Sequence, residues 1–386
     1  MKTFSKHILM ASIDKFFHFI SKKYTHYCEN ESTLFPHLKL ENYKLQAPVS
    51  GVLHESGKYI SPQLHTKVNQ LYFYHFHSAY VYDRIPITLD IFHKGESKKT
   101  ILTIFHVINF MIYYCKSLKN TQIDSLTIKL VMSPYKKTLP KMNTAITAHN
   151  VNSGFTSRNY GNNNSSIVIY RKEEIVKVLI HELLHAFDID SKISSKPYEN
   201  DLLKLYSFKE VNDGLDHINV NESFTDTYAC LLNIALVALQ SNKNVKYFLE
   251  MVHLEQNHIV SVAEKIMSHI GLNIQNGNTI LKMQPKKFEY METTHVISYY
   301  ILKALNFKNV NGFLSYLIEN NYQIGRIATY VDYIYKLSKN IKWEKQNNNL
   351  TSNVRGVYKL NSKNLNSILM SSIDILKINK RLKKSI

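Results

Sequence analysis

From Arg171 the chain reads RKEEIVKVLIHELLHAFDID, with His181 and His185 four residues apart. On a helix that spacing sets two imidazoles one turn apart on the same face. Neutral imidazoles so placed can each give a ring nitrogen to a zinc ion. Glu182 lies close enough to the open coordination position to take a proton from water. A hydrolytic zinc site normally has a third protein ligand, and the stretch NVNESFTDTYACLLNIAL from Asn219 offers one. Read as a helix, it puts Glu222 and Asp226 one turn apart on one face. Glu222 is the expected third ligand. Asp226 is expected to support it by accepting the spare N–H of His181, which would fix that ring's tautomer. The competing use of Glu222 is a capping box, with Asn219 as the cap and Glu222 reaching back to its amide. The two uses exclude each other, and the HELLH upstream favours the ligand.

These residues need a scaffold. Val176, Ile180, Leu183, Leu184 and Phe187 give the HELLH helix an apolar stripe, and Glu173 and Glu174 are expected in its first turn, where carboxylates suit the helix dipole. Upstream, residues 79–92 read as a strand interrupted at Pro86, and residues 99–118 as a buried helix. Leu126, Ile128 and Leu130 alternate with Thr127 and Lys129 as in a half-exposed strand that ends near Pro134. Residues 147–155 and 166–170 read as extended pieces leading into the motif helix, with Asn162 to Asn164 as a loop tip. Later runs at 220–239, 245–270 and 294–305 carry helical periodicity without proline.

The resulting fold class is α+β. A small mixed sheet and the HELLH helix form an upper subdomain at 76–190, and a mainly helical lower subdomain at 191–340 holds the third ligand. A segment at 1–75 precedes them and a basic appendage at 341–386 follows. A cleft between the subdomains would hold the metal.

Composition bounds the setting. The chain has 386 residues and a net charge of +18, enough for one or two globular domains and a surface that would tolerate nucleic acid without specifying it. The basic residues form no arginine stripe, and the densest run, Lys380, Arg381, Lys383 and Lys384, reads as a solvated tail. Cys28, Cys115 and Cys230 lie far apart, which suits a reducing interior. The apolar stretch at 8–20 is broken by Asp14 and Lys15, so it makes no clean leader, and no apolar run is expected to reach bilayer length. The expectation is a soluble, intracellular protein. His75, His77, His253 and His258 lack a partner at four-residue spacing and are read as core or surface residues.

The two motifs together resemble the thermolysin-like gluzincins, whose pattern is HExxH on one helix and NExx(S/T)D on a later one, here His181 to His185 and Asn221 to Asp226. Metzincins do not fit, because Asp188 stands where they need glycine and Ser191 where they need histidine. The resemblance implies a zincin-like fold, a zinc cofactor and a peptide or protein substrate. It also implies a downstream histidine that steadies the oxyanion, and the segment THVISYYILKA offers His295, with Ser298, Lys303 and Ala304 at matching offsets. Tyr299 or Tyr300 could serve instead, and Thr294 could merely cap a helix that starts there. The edge strand that binds substrate in gluzincins would correspond to residues 147–155, which read equally well as an ordinary hairpin. The interval from His185 to Glu222 is longer than in thermolysin-like enzymes. The style of the sequence is also similar to metallopeptidases of large DNA viruses, with the virion or host cytoplasm as the setting.

The expected reaction is peptide-bond hydrolysis by zinc-activated water, with Glu182 as general base and His295 or Tyr300 as oxyanion donor. One rival is a catalytically silent, virion-associated protein that keeps the fold. The other is a nucleic-acid binder with a chance HELLH, for which no supporting motif is present.

Overall fold

The computed structural model describes residues 2–31, 42–44, 53, 60–119, 121–141, 144–190, 194–206, 218–270, 272–274, 281–283, 294–341 and 366–376. In chain order the elements are α1 (Lys2–Glu31), β1 (Asn42–Lys44), α2 (Pro62–Asn69), β2 (Tyr74–Tyr82), β3 (Ile85–His93), α3 (Lys98–Leu118), β4 (Ser125–Val131), α4 (Ala148–Val151), β5 (Gly154–Asn159), β6 (Asn164–Ile169) and α5 (Ile175–Ala186). There follow α6 (Asn200–Leu205), α7 (Val220–Gln240), α8 (Val245–Ile270), β7 (Leu272–Ile274) and β8 (Leu281–Met283). A π-helix (Ile297–Leu302) then runs into α9 (Lys303–Lys308), before α10 (Val310–Glu319) and α11 (Ile327–Asn340). The basic run at Lys380 to Lys384 and the tract at Asn347 to Asn349 lie outside the described residues.

The chain forms two compact units. A sheet unit takes Ile20–Lys137, Asn152–Ile189 and the stretch from Asp374, and a helical unit takes the chain up to Phe19, Thr138–Val151 and Asp190–Ile373. The sheet has six strands in the order β1-β2-β3-β4-β6-β5. Pairing is parallel at β3/β4 and β4/β6 and antiparallel elsewhere, so the sheet is mixed and the α+β class holds. Leu126, Ile128 and Leu130 are fully buried while Thr127 and Lys129 are not, as the alternation required.

Three local expectations are corrected. Residues 79–92 belong to two strands, because Asp83 and Arg84 both take positive φ (47° and 67°) and turn the chain in two residues. That is the twist a tight hairpin needs, built here without the glycine that would advertise it. Pro86 is tolerated in β3 because pairing with β4 begins only at Ile87, so its missing N–H leaves no gap on that side. Residues 147–155 are not one extended piece. The Asn150 side chain accepts from the Thr147 amide (3.0 Å) and hydroxyl (3.2 Å), local bonds that compete with a strand. A short helix forms there, and the strand starts only at Gly154.

The third correction concerns Glu173 and Glu174, which precede α5 instead of forming its first turn. Glu174 sits at φ 57° as the residue before the helix, and both carboxylates turn to Lys137. The Lys137 ammonium is 2.8 Å from Glu174 Oε2 with both side chains buried, and its backbone N–H donates to Glu173. Burial pushes the Lys137 pKa down against the pull of Glu174. Burial, then Glu174, pushes Glu173 up.

α3 is the described helix long and apolar enough to cross a membrane, contrary to the expectation that none is, and 61% of that stretch is buried inside the protein. Phe76 and Tyr80 of β2 pack on its Phe105, with ring centroids 5.6 and 5.5 Å apart. That is core-helix packing.

The turn into α3 should respond to pH. His93 is buried, and its Nδ1 accepts the Glu96 amide at 2.9 Å, which requires the neutral ring. Desolvation lowers the His93 pKa below its ordinary 6.5, the nearby Glu96 opposing this only in part. The unfolded chain therefore takes the proton first, so His93's contribution is complete above the ordinary value and is lost as pH falls below it. Urea midpoints should drop between about pH 7.5 and about pH 5.5, and His93→Gln, which still offers an acceptor, should flatten that drop. An unchanged pH slope in the variant would assign the effect to other groups.

Candidate metal centre

α5 is held at both ends by its own unit. Ahead of it, the buried Arg171 donates to the carbonyls of Asn152 (2.8 Å) and Lys136 (2.7 Å), fixing the chain as it leaves β6. Beyond it, Asp188 turns at φ 53° and forms an ion pair with Arg158 of β5. Arg158 also donates to Ala186 O at 3.2 Å, Thr121 to Phe187 O at 2.9 Å, and Lys119 to Asp188 O at 2.6 Å. Donors, two of them cationic, thus meet carbonyls that a helix end leaves unpaired. Every residue of α5 except His185 is buried. The helix is buried nearly all round, and burying each Val, Leu or Ile side chain contributes about 1.5–3 kcal/mol.

On this helix the two histidines converge. The Nε2 atoms of His181 and His185 are 3.0 Å apart, with rings edge to face at 79°. Glu182 is 5% exposed, and the Thr156 hydroxyl lies 2.7 Å from its Oε2 and 3.0 Å from its carbonyl, donating to both. Gly154 comes equally close: a β-carbon there would lie 2.9 Å from Val168 O and 3.3 Å from Glu182 Oε1. Only glycine lets β5 pass this near the carboxylate. Thr156 is a neighbour of Glu182 that the sequence reading missed. No local pattern marks it, since it meets Glu182 only through the pairing of β5 with β6.

The remaining predicted residues belong to the helical unit. Glu222 is half-buried in the first turn of α7. Asn219 makes no side-chain cap, and the first free amide of α7, that of Val220, is met by Ser195 Oγ (3.2 Å) and Glu199 Oε1 (3.3 Å). The capping box therefore lacks its asparagine half, and other groups do that work.

Asp226, one turn on, gives Oδ2 to the Lys303 ammonium at 2.6 Å, with both side chains 1% exposed. Burial alone would weaken the charge on Lys303, but Asp226, with smaller help from Cys230 and Glu255, raises its pKa above the usual lysine value. Tyr300 is buried in the π-helix and donates to Ile368 O at 2.9 Å. His295 is half-buried just ahead of that helix, edge-on to Tyr299 with centroids 6.3 Å apart. Thr294 is not the helix cap, since the π-helix starts after Val296.

Within the sheet unit, then, His181, Glu182 and His185 stand together with Thr156. Within the helical unit, Asp226, Tyr300 and Lys303 gather around the chain at 368–370, where Lys303 also donates to Met370 O.

No family model matches the chain. It is 24% identical over 291 residues to the uncharacterized protein R210 of Acanthamoeba polyphaga mimivirus, a match covering 67% of this chain and 71% of that protein. The viral source of this relative agrees with the style of the sequence. Among solved structures the chain is similar to an aminopeptidase N family protein from Idiomarina loihiensis, with 8% identity and a TM-score of 0.33 over 73% of this chain. It spans about half the length of that structure, 48%, and a score at this level does not establish a common fold.

Proposed function

We propose that the chain is a zinc-dependent metalloendopeptidase of the gluzincin type, with His181, His185 and Glu222 as metal ligands and Glu182 as general base. The observation that carries this reading is the approach of two imidazole Nε2 atoms to 3.0 Å on a buried helix, with a hydroxyl-fixed carboxylate on the residue after His181. The donor chemistry fits: two neutral nitrogens and one carboxylate make a three-ligand set that leaves a position open. When bound, zinc would supply a Lewis acid for the scissile carbonyl and make water easier to deprotonate.

Glu182 would take the proton of the attacking water and pass it to the leaving amine. Thr156 would hold the carboxylate in place for both transfers. β5 ends the sheet order, so a peptide in extended form could add to it by backbone hydrogen bonds. His295 is the better candidate for steadying charge on the carbonyl oxygen, because the Tyr300 hydroxyl already donates to Ile368. Asp226 would support His181 by accepting the spare N–H of its ring.

Metal analysis of the purified full-length chain tests the ligand set. His181→Ala and Glu222→Ala should each hold one equivalent of zinc fewer than wild type. Undiminished zinc in Glu222→Ala would remove Glu222 from the set, and undiminished zinc in His181→Ala would overturn the reading.

A further inference from the structure

The sheet unit carries a second convergence of metal-binding side chains, away from the HELLH helix. Along β2, Phe76 and Tyr80 turn toward α3, so His75 and His77 lie on the opposite face of the sheet, where alternate residues must point. The antiparallel register sets His77 directly across from Asp90 of β3, and His75 across from Phe92. His75 Nε2 lies 2.8 Å and His77 Nδ1 2.9 Å from the same carboxylate oxygen, Asp90 Oδ1. Two residues apart is the strand equivalent of the four-residue helical spacing, which is why a search for helical pairs passes these histidines over.

We propose that His75, His77 and Asp90 form a binding site for a divalent transition metal of the zinc class, independent of the HELLH centre. Ligand atoms each about 2 Å from one ion lie roughly 3 Å from one another; both histidine nitrogens already stand at about that separation from Asp90 Oδ1, and all three ligand atoms lie within 4.8 Å of one another on hydrogen-bonded strands. The His75 ring is fixed further by stacking on Phe92, with centroids 4.5 Å apart and planes within 1° of parallel. An ion can reach the site: the side chains of His77, His75 and Asp90 are 50%, 22% and 17% exposed. Water can therefore complete the coordination.

Two imidazoles and one carboxylate suit zinc and its neighbours better than calcium or magnesium, which prefer oxygen. Lys129 stands opposite Asp90 in the register with β4 and opposes an added cation, but among the described residues it makes no ion pair with Asp90. The bound ion would tie β2 to β3 across the face of the hairpin, a stabilising clasp with no role in the hydrolysis proposed above.

Zinc titration of the full-length chain against a chromophoric chelator tests the site, using wild type, His77→Ala, Asp90→Asn and His181→Ala. Wild type should take up two equivalents. His77→Ala and His181→Ala should each take up one, and Asp90→Asn, which keeps the geometry but loses the charge, should weaken the hairpin site at least tenfold. Adding zinc to His181→Ala should still raise its unfolding temperature, and adding it to the His77→Ala/His181→Ala double variant should not. Two equivalents in a folded His77→Ala overturn the hairpin site and leave the HELLH centre standing. Two equivalents in His181→Ala do the reverse.

Discussion

Glu182→Gln should leave zinc content and unfolding temperature at wild-type values while cleavage of a mixed peptide library falls by about 10⁴-fold. The substitution keeps the size of a side chain that is 5% exposed. Its amide oxygen can still accept from Thr156, as the carboxylate does at 2.7 Å. What it cannot do is take up a proton. General acid–base groups contribute roughly 10² to 10⁴ in rate, and the upper end is expected because Glu182 would act twice, on the attacking water and on the leaving amine. The readout is initial cleavage rate by mass spectrometry beside metal analysis of the same sample. Activity within tenfold of wild type would show that another group carries the proton. Equal loss of zinc and activity would show that Glu182 acts on the site's structure and not on the proton.

The convergence of His181 and His185 was legible in the sequence because helical spacing converts directly into geometry. Four residues mean one turn, so His181 and His185 had to share a face, and their nitrogens meet at 3.0 Å. The long helices and the buried alternation of β4 were legible for the same reason, since each is a local period imposed by one partner face. Contacts made by strand register were not. Thr156 reaches Glu182 only because β5 folds back on β6, and His77 meets Asp90 only because the Asp83–Arg84 turn fixes the hairpin register.

Turn chemistry failed in the same way. Asp83 and Arg84 adopt positive φ where the expected signal is glycine or asparagine, so one interrupted strand was read where two exist. At 147–155 one extended piece is expected, but Asn150 captured the Thr147 amide and hydroxyl and closed a helical turn. Propensity lost to a side-chain acceptor three residues away.

The buried pair of Asp226 and Lys303 sets the second large effect. Asp226→Asn should destabilise the protein by about 3–5 kcal/mol, because Lys303 is left charged and 1% exposed without its counterion. Removing both charges with Asp226→Leu and Lys303→Met should recover most of that loss, since a well-packed apolar pair in place of a buried ion pair is often close to neutral. Recovery would stay incomplete to the extent that Met370 O loses the ammonium it accepts from. Urea denaturation of Asp226→Leu, Lys303→Met and the double variant measures the coupling, and a simple sum of the single effects would show that the pair does not act as a unit.

The same three proteins separate two roles for Asp226. If it only anchors α7 to α9 through Lys303, the double variant should regain zinc affinity together with stability. If it also orients His181, stability should return while zinc affinity at the HELLH centre stays about 10- to 100-fold weaker, the usual loss when a ligand's supporting carboxylate is removed. Full recovery of both would confine Asp226 to the anchor. The carboxylate one turn beyond Glu222 would then be there to hold the helix that carries the proposed ligand, with no part in orienting His181.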